Sequence, residues 1–378
     1  MNQFEGKFEL SRRELLRQGV FIIPIGGLNL GAVTVWAQQA AVAQAPAKSD
    51  NGDLLPRLAA LDLNLDELRS SLRLACTWIT EIAQVKDDQL TIETNSFHLD
   101  YKHWKGAIRG EYDAALRQWG FFAPLWHTGQ AIKSLVLAHR ALEDSSLLSS
   151  AELGAQFIGA ARVVDPKSKD RGLILASEGR VSGVNVSCIL EALDGLIVLS
   201  KETGDNKYWG WIEEAVSWIA KNSYVDQGMF RDDYSIELSK WIPAPWLKRA
   251  PYKPFRPLLD DAIFLKAFHH TRVDEYRRIF YDTADRLLQE ESPNGVWINF
   301  TPSNPLTGSI HPRQAFWWGY PLIDAYKDSG NVKYLDCAKR SGEWYLGAMR
   351  HDGGIFRGTY SDFKTDSFGQ ETSAICCA

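Results

Sequence analysis

Asp260 and Asp261 stand side by side at the head of a helical pattern, just past a loop that contains no acid. Cleavage of a glycosidic bond needs two carboxyl groups facing each other across it, one of them protonated. The sequence offers Asp260 or Asp261 for one side of such a pair and Glu178 or Glu371 for the other. An aspartate at a helix start also accepts backbone N–H bonds as an N-cap. Two adjacent acids exceed what one cap requires.

The loop before them, Ser239 to Pro257, carries Lys240, Lys248, Arg249, Lys253 and Arg256 among Trp241, Trp246, Tyr252 and Phe255, with five prolines. Proline stiffens such a loop, aromatic rings cover a sugar face, and guanidinium groups pair with carboxylate or sulfate. The combination predicts an acidic saccharide held by Trp241, Trp246, Arg249 and Arg256. Further along, His311 and Arg313 precede Trp317 and Trp318. They are the base and the carboxylate neutraliser that a β-elimination would need, although a lone histidine near a helix start more often serves the scaffold. Adjacent helical positions point ~100° apart, so core packing accounts for one of the two tryptophans and leaves the other for a sugar. Trp126, His127 and Asp233 join them as binding candidates.

These residues need elements to position them, and an internal repeat supplies the plan. A glycine followed by alternating apolar residues recurs as Gly106-Ala107-Ile108-Arg109-Gly110-Glu111-Tyr112, and again from Gly172, Gly228, Gly295 and Gly354. Tyr208, Tyr276 and Tyr334 each lie 19 or 20 residues before the next such glycine, room for one helix and a turn. Tyr112, Tyr234 and Tyr360 share one repeat position and read as scaffold. The segment after each anchor has a one-sided apolar stripe, as in Tyr276, Ile279, Phe280, Ala284 and Leu287; the segment before it, such as 184–199, is apolar around most of its circumference. Helices of the second kind must be buried on both sides. Inner helices are predicted near 120–140, 181–201, 257–270, 312–327 and 367–378, and outer ones near 62–84, 149–163, 206–221, 274–290 and 332–349. Units of this kind bury their faces only by stacking on neighbours. The expected fold is all-α: an (α/α) toroid, or barrel, of about five to six helical hairpins with short β-strand connections.

The aromatic and polar openings Trp317-Trp318-Gly319-Tyr320 and Asp260-Asp261, the glycine–aromatic turns, and the ending Glu371-Thr372-Ser373-Ala374-Ile375 resemble the six-hairpin glycosidase-like (α/α) toroids. That superfamily includes unsaturated glucuronyl hydrolases, related polysaccharide lyases and sugar epimerases. The resemblance runs over residues 60–378 and departs from the usual plan in showing five hairpins. It implies a carbohydrate-active enzyme whose partner is an oligo- or polysaccharide. The leading expectation is a glycoside hydrolase acting on uronate-containing oligosaccharides through Asp260 or Asp261 and a facing glutamate. The alternatives are a polysaccharide lyase and a glycan-binding protein without catalysis.

Composition narrows the remaining classes. With 45% hydrophobic and 24% charged residues among 378, the chain has the profile of a folded globular protein. Its net charge of −5 excludes the basic stripe that a nucleic-acid partner would require. The start, Ser11-Arg12-Arg13-Glu14-Leu15-Leu16-Arg17 followed by an uncharged, glycine-bearing run, resembles a twin-arginine export signal. On that reading residues 1–43 are a signal peptide, 44–60 a linker and 61–378 the toroid. The twin-arginine translocase is then a partner during export, and the destination is periplasmic or secreted. Cys76, Cys188 and Cys337 fall inside apolar patterns and read as buried thiols, while Cys376 and Cys377 match no metal spacing. No phosphate-binding glycine loop, nucleophile elbow or zinc-helix motif occurs, so neither a cofactor nor a metal is expected.

Overall fold

The computed structural model describes residues 64–88, 101–113, 115–177, 183–242, 255–292, 295–304, 306–351, 354–356 and 358–365. The export signal and linker, Glu178, Trp246, Arg249, Glu371, the Cys376–Cys377 pair and the helix expected over 367–378 lie outside the described residues.

Among the described residues, nine helices alternate in kind. An outer helix, α1 (Leu65–Thr77), is capped by Asn64, whose side chain accepts from the amides of Asp66 and Glu67, and continues into wider π-helical turns over Trp78–Ala83. Four hairpins follow. The inner helices are α2 (Pro124–Leu142), α4 (Val186–Thr203), α6 (Ile263–Thr271, entered through a 3-10 turn over Asp260–Ala262) and α8 (Tyr320–Ser329, entered through a π-helical turn over Ala315–Gly319). The outer helices are α3 (Ser145–Ala160), α5 (Lys207–Asn222), α7 (Asp274–Glu290) and α9 (Val332–Ala348). Left-handed residues make the turns: Gly204 and Gly330, both at φ +71°, sit where glycine costs nothing. Helix α3 starts at Ser145 rather than near residue 149. Glu143 turns at φ +56°, and Asp144 caps the helix by accepting from the Ser146 amide at 2.9 Å, so serines that read as loop become the first turn.

Inner helix α4 is buried on every side, without interruption from Val186 to Ile197. Its approach to α2 is backbone against backbone: a Cβ on Gly195 would lie 2.1 Å from the Gly129 carbonyl oxygen, and one on Gly129 would lie 2.3 Å from Ala192 Cα. The repeat glycines have a comparable task. Gly106, Gly172, Gly228 and Gly295, all at positive φ, press on the backbones of α3, α5, α7 and α9 respectively, so each connection docks on the next outer helix.

Short antiparallel strands line the connections. β1 (Glu111–Asp113) pairs with β2 (Gln118–Gly120); β4 (Tyr224–Asp226) pairs with β5 (Met229–Phe230). β3 (Gly183–Asn185), β6 (Asp233–Ser235) and β7 (Lys240–Trp241) form a three-stranded sheet in the order β3-β6-β7. Because each strand segment feeds an inner helix, the N-termini of α2, α4, α6 and the α8 segment gather at one end. That end is the mouth of the toroid.

Candidate active site

The mouth holds ionisable side chains in two layers. One helical turn separates them: Gln130 and Glu191 belong to the upper layer, and Lys133 and Asp194, three residues deeper on α2 and α4, belong to the lower. Three residues correspond to a rise of ~4.5 Å along a helix.

In the upper layer Glu191, 3% exposed, accepts from Trp317 Nε1 at 2.9 Å through Oε1 and from Gln130 Nε2 at 2.7 Å through Oε2. Three elements, α2, α4 and the π-helical turn, therefore meet on one carboxyl. The close packing at Gly129 brings Gln130 within reach, and the π-turn widens the helix start that carries Trp317. Asp260, 1% exposed, accepts from Ser187 Oγ at 2.6 Å through Oδ1, while its buried Oδ2 has no hydrogen-bond partner. Arg313 lies flat over Trp126, 3.8 Å from the ring centroid, and 5.7 Å from Trp317. Arg256 reaches over Trp317 at 5.4 Å, but its Nε also pairs with Asp232 at 2.7 Å, and Asp232 accepts from the Ser187 amide. Arg256 thus ties its loop to the head of α4.

The lower layer is a charge-balanced cluster. Asp194 takes Lys133 Nζ on one oxygen and Lys266 Nζ on the other, each at 2.5 Å, and Lys133 also reaches Asp261 Oδ1 at 3.3 Å. Two partly buried cations face two buried carboxyls, with Asp324 beside them, so the buried charges are paired.

Burial and pairing set the protonation states. Burial, then the charge of Asp260, pushes the Glu191 carboxyl well above the usual range, with Arg313 and the Trp317 bond opposing. Burial likewise raises Asp260, against Arg256 and the Ser187 bond, and raises Asp261 against Lys133. Asp194 goes the other way: burial alone would raise it, but Lys133 and Lys266 hold it far down. Burial and the adjacent Arg313 lower His127 to about 4, so its ring is neutral.

The mouth brings together Asp260, Asp261, Trp126, His127, Arg256, His311, Arg313 and Trp317 from the sequence reading. His311 stacks on Trp317 with centroids 5.7 Å apart, and its Nδ1 accepts from the Arg313 amide at 3.3 Å. Trp318 turns away into the core, edge-on to Trp297 and Phe300, with its Nε1 on the Pro257 carbonyl. Trp241 packs on Trp218 and Tyr234 in the wall, and Asp233 lies on β6 opposite Asn185. Sequence reasoning missed Glu191, Asp194, Gln130, Lys133, Ser187 and Lys266. The signal was present for two of them: Glu191 and Asp194 are the only charges in an otherwise apolar stretch, and charge fully buried in a core is paired or functional. Among the described residues no cluster of histidine, cysteine, aspartate and glutamate could hold a metal ion.

No protein-family model matches the chain, and no curated protein matches it in sequence. Solved structures do match it in shape. A sugar epimerase from a ruminal bacterium aligns with a TM-score of 0.55 at 13% identity, covering 84% of this chain and 82% of its own. Cellobiose 2-epimerase from Spirochaeta thermophila gives 0.54 at 11% identity, covering 80% and 75%. A GH76 α-mannanase from Bacteroides thetaiotaomicron gives 0.50 at 14% identity, covering 67% and 66%. The fold shared with these structures is an (α/α) toroid. In this toroid the two layers of polar and ionisable groups occupy the mouth.

Proposed function

We propose that the protein is a glycoside hydrolase acting on uronate-containing oligosaccharides, with Glu191 as the glutamate that faces the aspartate pair. One observation carries the reading. Glu191 and an aspartate from another inner helix segment are buried in the same mouth, beside guanidinium groups laid on tryptophan faces. In hydrolysis one carboxyl passes its proton to the glycosidic oxygen as the C–O bond breaks. The other accepts a proton from the water whose oxygen bonds to the anomeric carbon, so the products together take up one water. Burial and the charge of Asp260 raise the proton affinity of Glu191, and burial raises that of Asp260, so a carboxyl of this pair can carry the proton that the acid role requires. Arg313, 3.8 Å over Trp126 and 5.7 Å from Trp317, offers a uronate a cation backed by two aromatic rings. Glu191 and Asp260 retain 3% and 1% of their surface, so substrate must part the layer of Arg313, Trp126 and Trp317 to reach them.

The lyase alternative needs a base at His311 or at a tyrosine, and the structure bears on the histidine. With Nδ1 accepting a backbone amide, the neutral ring carries its proton on Nε2 and has no lone pair left for substrate. Export through the twin-arginine route, to the periplasm or outside, belongs to the same proposal. The test is to incubate the protein with uronate polymers and with unsaturated oligomers derived from them, following the near-ultraviolet absorbance of the C=C bond. Loss of absorbance on the oligomers, together with new reducing ends, is the expected result, because the unsaturated uronate freed by hydrolysis opens its ring and its enol C=C becomes a ketone. A rise on the polymers would mean elimination, and measurable affinity with no change would mean binding alone.

A further inference from the structure

Asp260 and Asp261 are neighbours in the chain but belong to different layers of the mouth. Asp260 faces Ser187, Glu191, Arg256 and Asp232, and its Oδ2 has no hydrogen-bond partner. Asp261 pairs with Lys133 beside Asp194 and Lys266 in the lower cluster, and only its charge is felt at Glu191 above. The backbone makes the division. Asp261 at φ +49°, ψ +18° and Ala262 at φ +53°, ψ +35° are consecutive left-handed residues, neither of them glycine, immediately before α6. Such a conformation persists in a residue with a Cβ only where the surroundings enforce it, and it concentrates at functional sites. A tie across the mouth meets this turn: Lys133, partly buried on α2, reaches the buried Asp261 carboxyl at 3.3 Å.

We propose that this turn divides the work of the two carboxyls: Asp260 exchanges the proton with substrate, whereas Asp261 and Lys133 form a positioning pair that holds the turn. The assignment rests on the hydrolase reading for its chemistry and on geometry for the division itself. Removing the Asp261 charge leaves two partly buried lysines against Asp194, and removing Lys133 leaves two buried carboxyls against Lys266. Removing the Asp260 charge breaks no ion pair with a lysine.

The test compares Asp260→Asn, Asp261→Asn, Lys133→Met, Lys133→Arg and the Asp261→Asn/Lys133→Met double variant, by thermal unfolding and by turnover of unsaturated uronate oligomers. Asp260→Asn is expected to lose about a thousandfold in kcat while its unfolding temperature holds or rises. Asp261→Asn and Lys133→Met are expected to unfold at lower temperature and to lose roughly tenfold in kcat with KM held. The double variant should be no worse than either single one, as for a pair acting as a unit. Lys133→Arg should restore most of the rate, which keeps the test alive if Lys133→Met does not fold. Equal loss of turnover in folded Asp260→Asn and Asp261→Asn, or additive effects at Asp261 and Lys133, would overturn the division. Should the native protein turn over none of these glycans, the hydrolase reading fails, and the unfolding temperatures and their coupling still decide the division.

Discussion

At the scale of single residues, the distinctive feature of the mouth is a glutamate held by two donors that carry no charge. Glu191 accepts from an indole N–H and an amide N–H, so neither partner supplies the full positive charge that would fix it as an anion. Burial and Asp260 therefore prevail, and the carboxyl holds its proton more tightly than in water. Trp317→Phe isolates one of these bonds. An aromatic ring stays beside His311 and Arg313, while the N–H is lost together with the second ring of the indole. Kinetic measurement should show kcat reduced roughly tenfold, the equivalent of ~1.4 kcal/mol, with KM little changed. A change confined to KM would make Trp317 a binding residue and detach it from the chemistry of Glu191.

At the scale of elements, the repeat builds the same three-ring arrangement twice and treats the copies differently. Tyr112 pairs across the strands with Trp119, which lies 5.7 Å from Trp78 of the first outer helix; Tyr234 pairs with Trp241, which lies 5.9 Å from Trp218 of α5. The second copy is covered by β3 on the free edge of β6, and Tyr234 donates to Asp170 at 3.0 Å. The first copy has only β2 among the described residues, and Tyr112 is 52% exposed against 5% for Tyr234. Tyr234→Ala should therefore cost about 3 kcal/mol or more in urea unfolding, through a cavity and an unpaired Asp170, whereas Tyr112→Ala should cost under about 1 kcal/mol. Equal costs would mean that another part of the chain covers the first copy. The repeat itself was legible because glycine, tyrosine and apolar period are local signals. Exposure was not, since two tyrosines at one repeat position differ only in what distant chain lies over them. The same holds at the mouth. Asp260-Asp261 announces itself by adjacency, while Lys133 and Gln130 gain their meaning only from partners 128 and 61 residues away.

At the scale of the whole molecule, the two layers pull stability in opposite directions with pH. A carboxyl whose folded proton affinity is raised contributes stability below its unfolded pKa, and that contribution is lost as pH rises through the folded value. Glu191 and Asp260 are of this kind. Asp194, held down by Lys133 and Lys266, contributes above the ordinary carboxylate range and loses its contribution only in acid. His127, lowered to about 4, favours the fold as pH rises and completes its effect near the unfolded histidine value of about 6.5. From neutrality upward the upper carboxyls are thus the mouth groups left to titrate, facing Arg313, Arg256, Asp232 and Asp261. Glu191→Gln keeps the shape and removes the charge. The variant should gain stability over the native protein as pH climbs from neutral to mildly alkaline, read as a widening gap between their urea midpoints. In acid the gap should close, because below the ordinary carboxylate range the glutamate of the unfolded chain binds the proton as well. A gap that stays constant across the range would show that Glu191 is ionised throughout, and the mouth would then lack the proton that glycosidic cleavage requires.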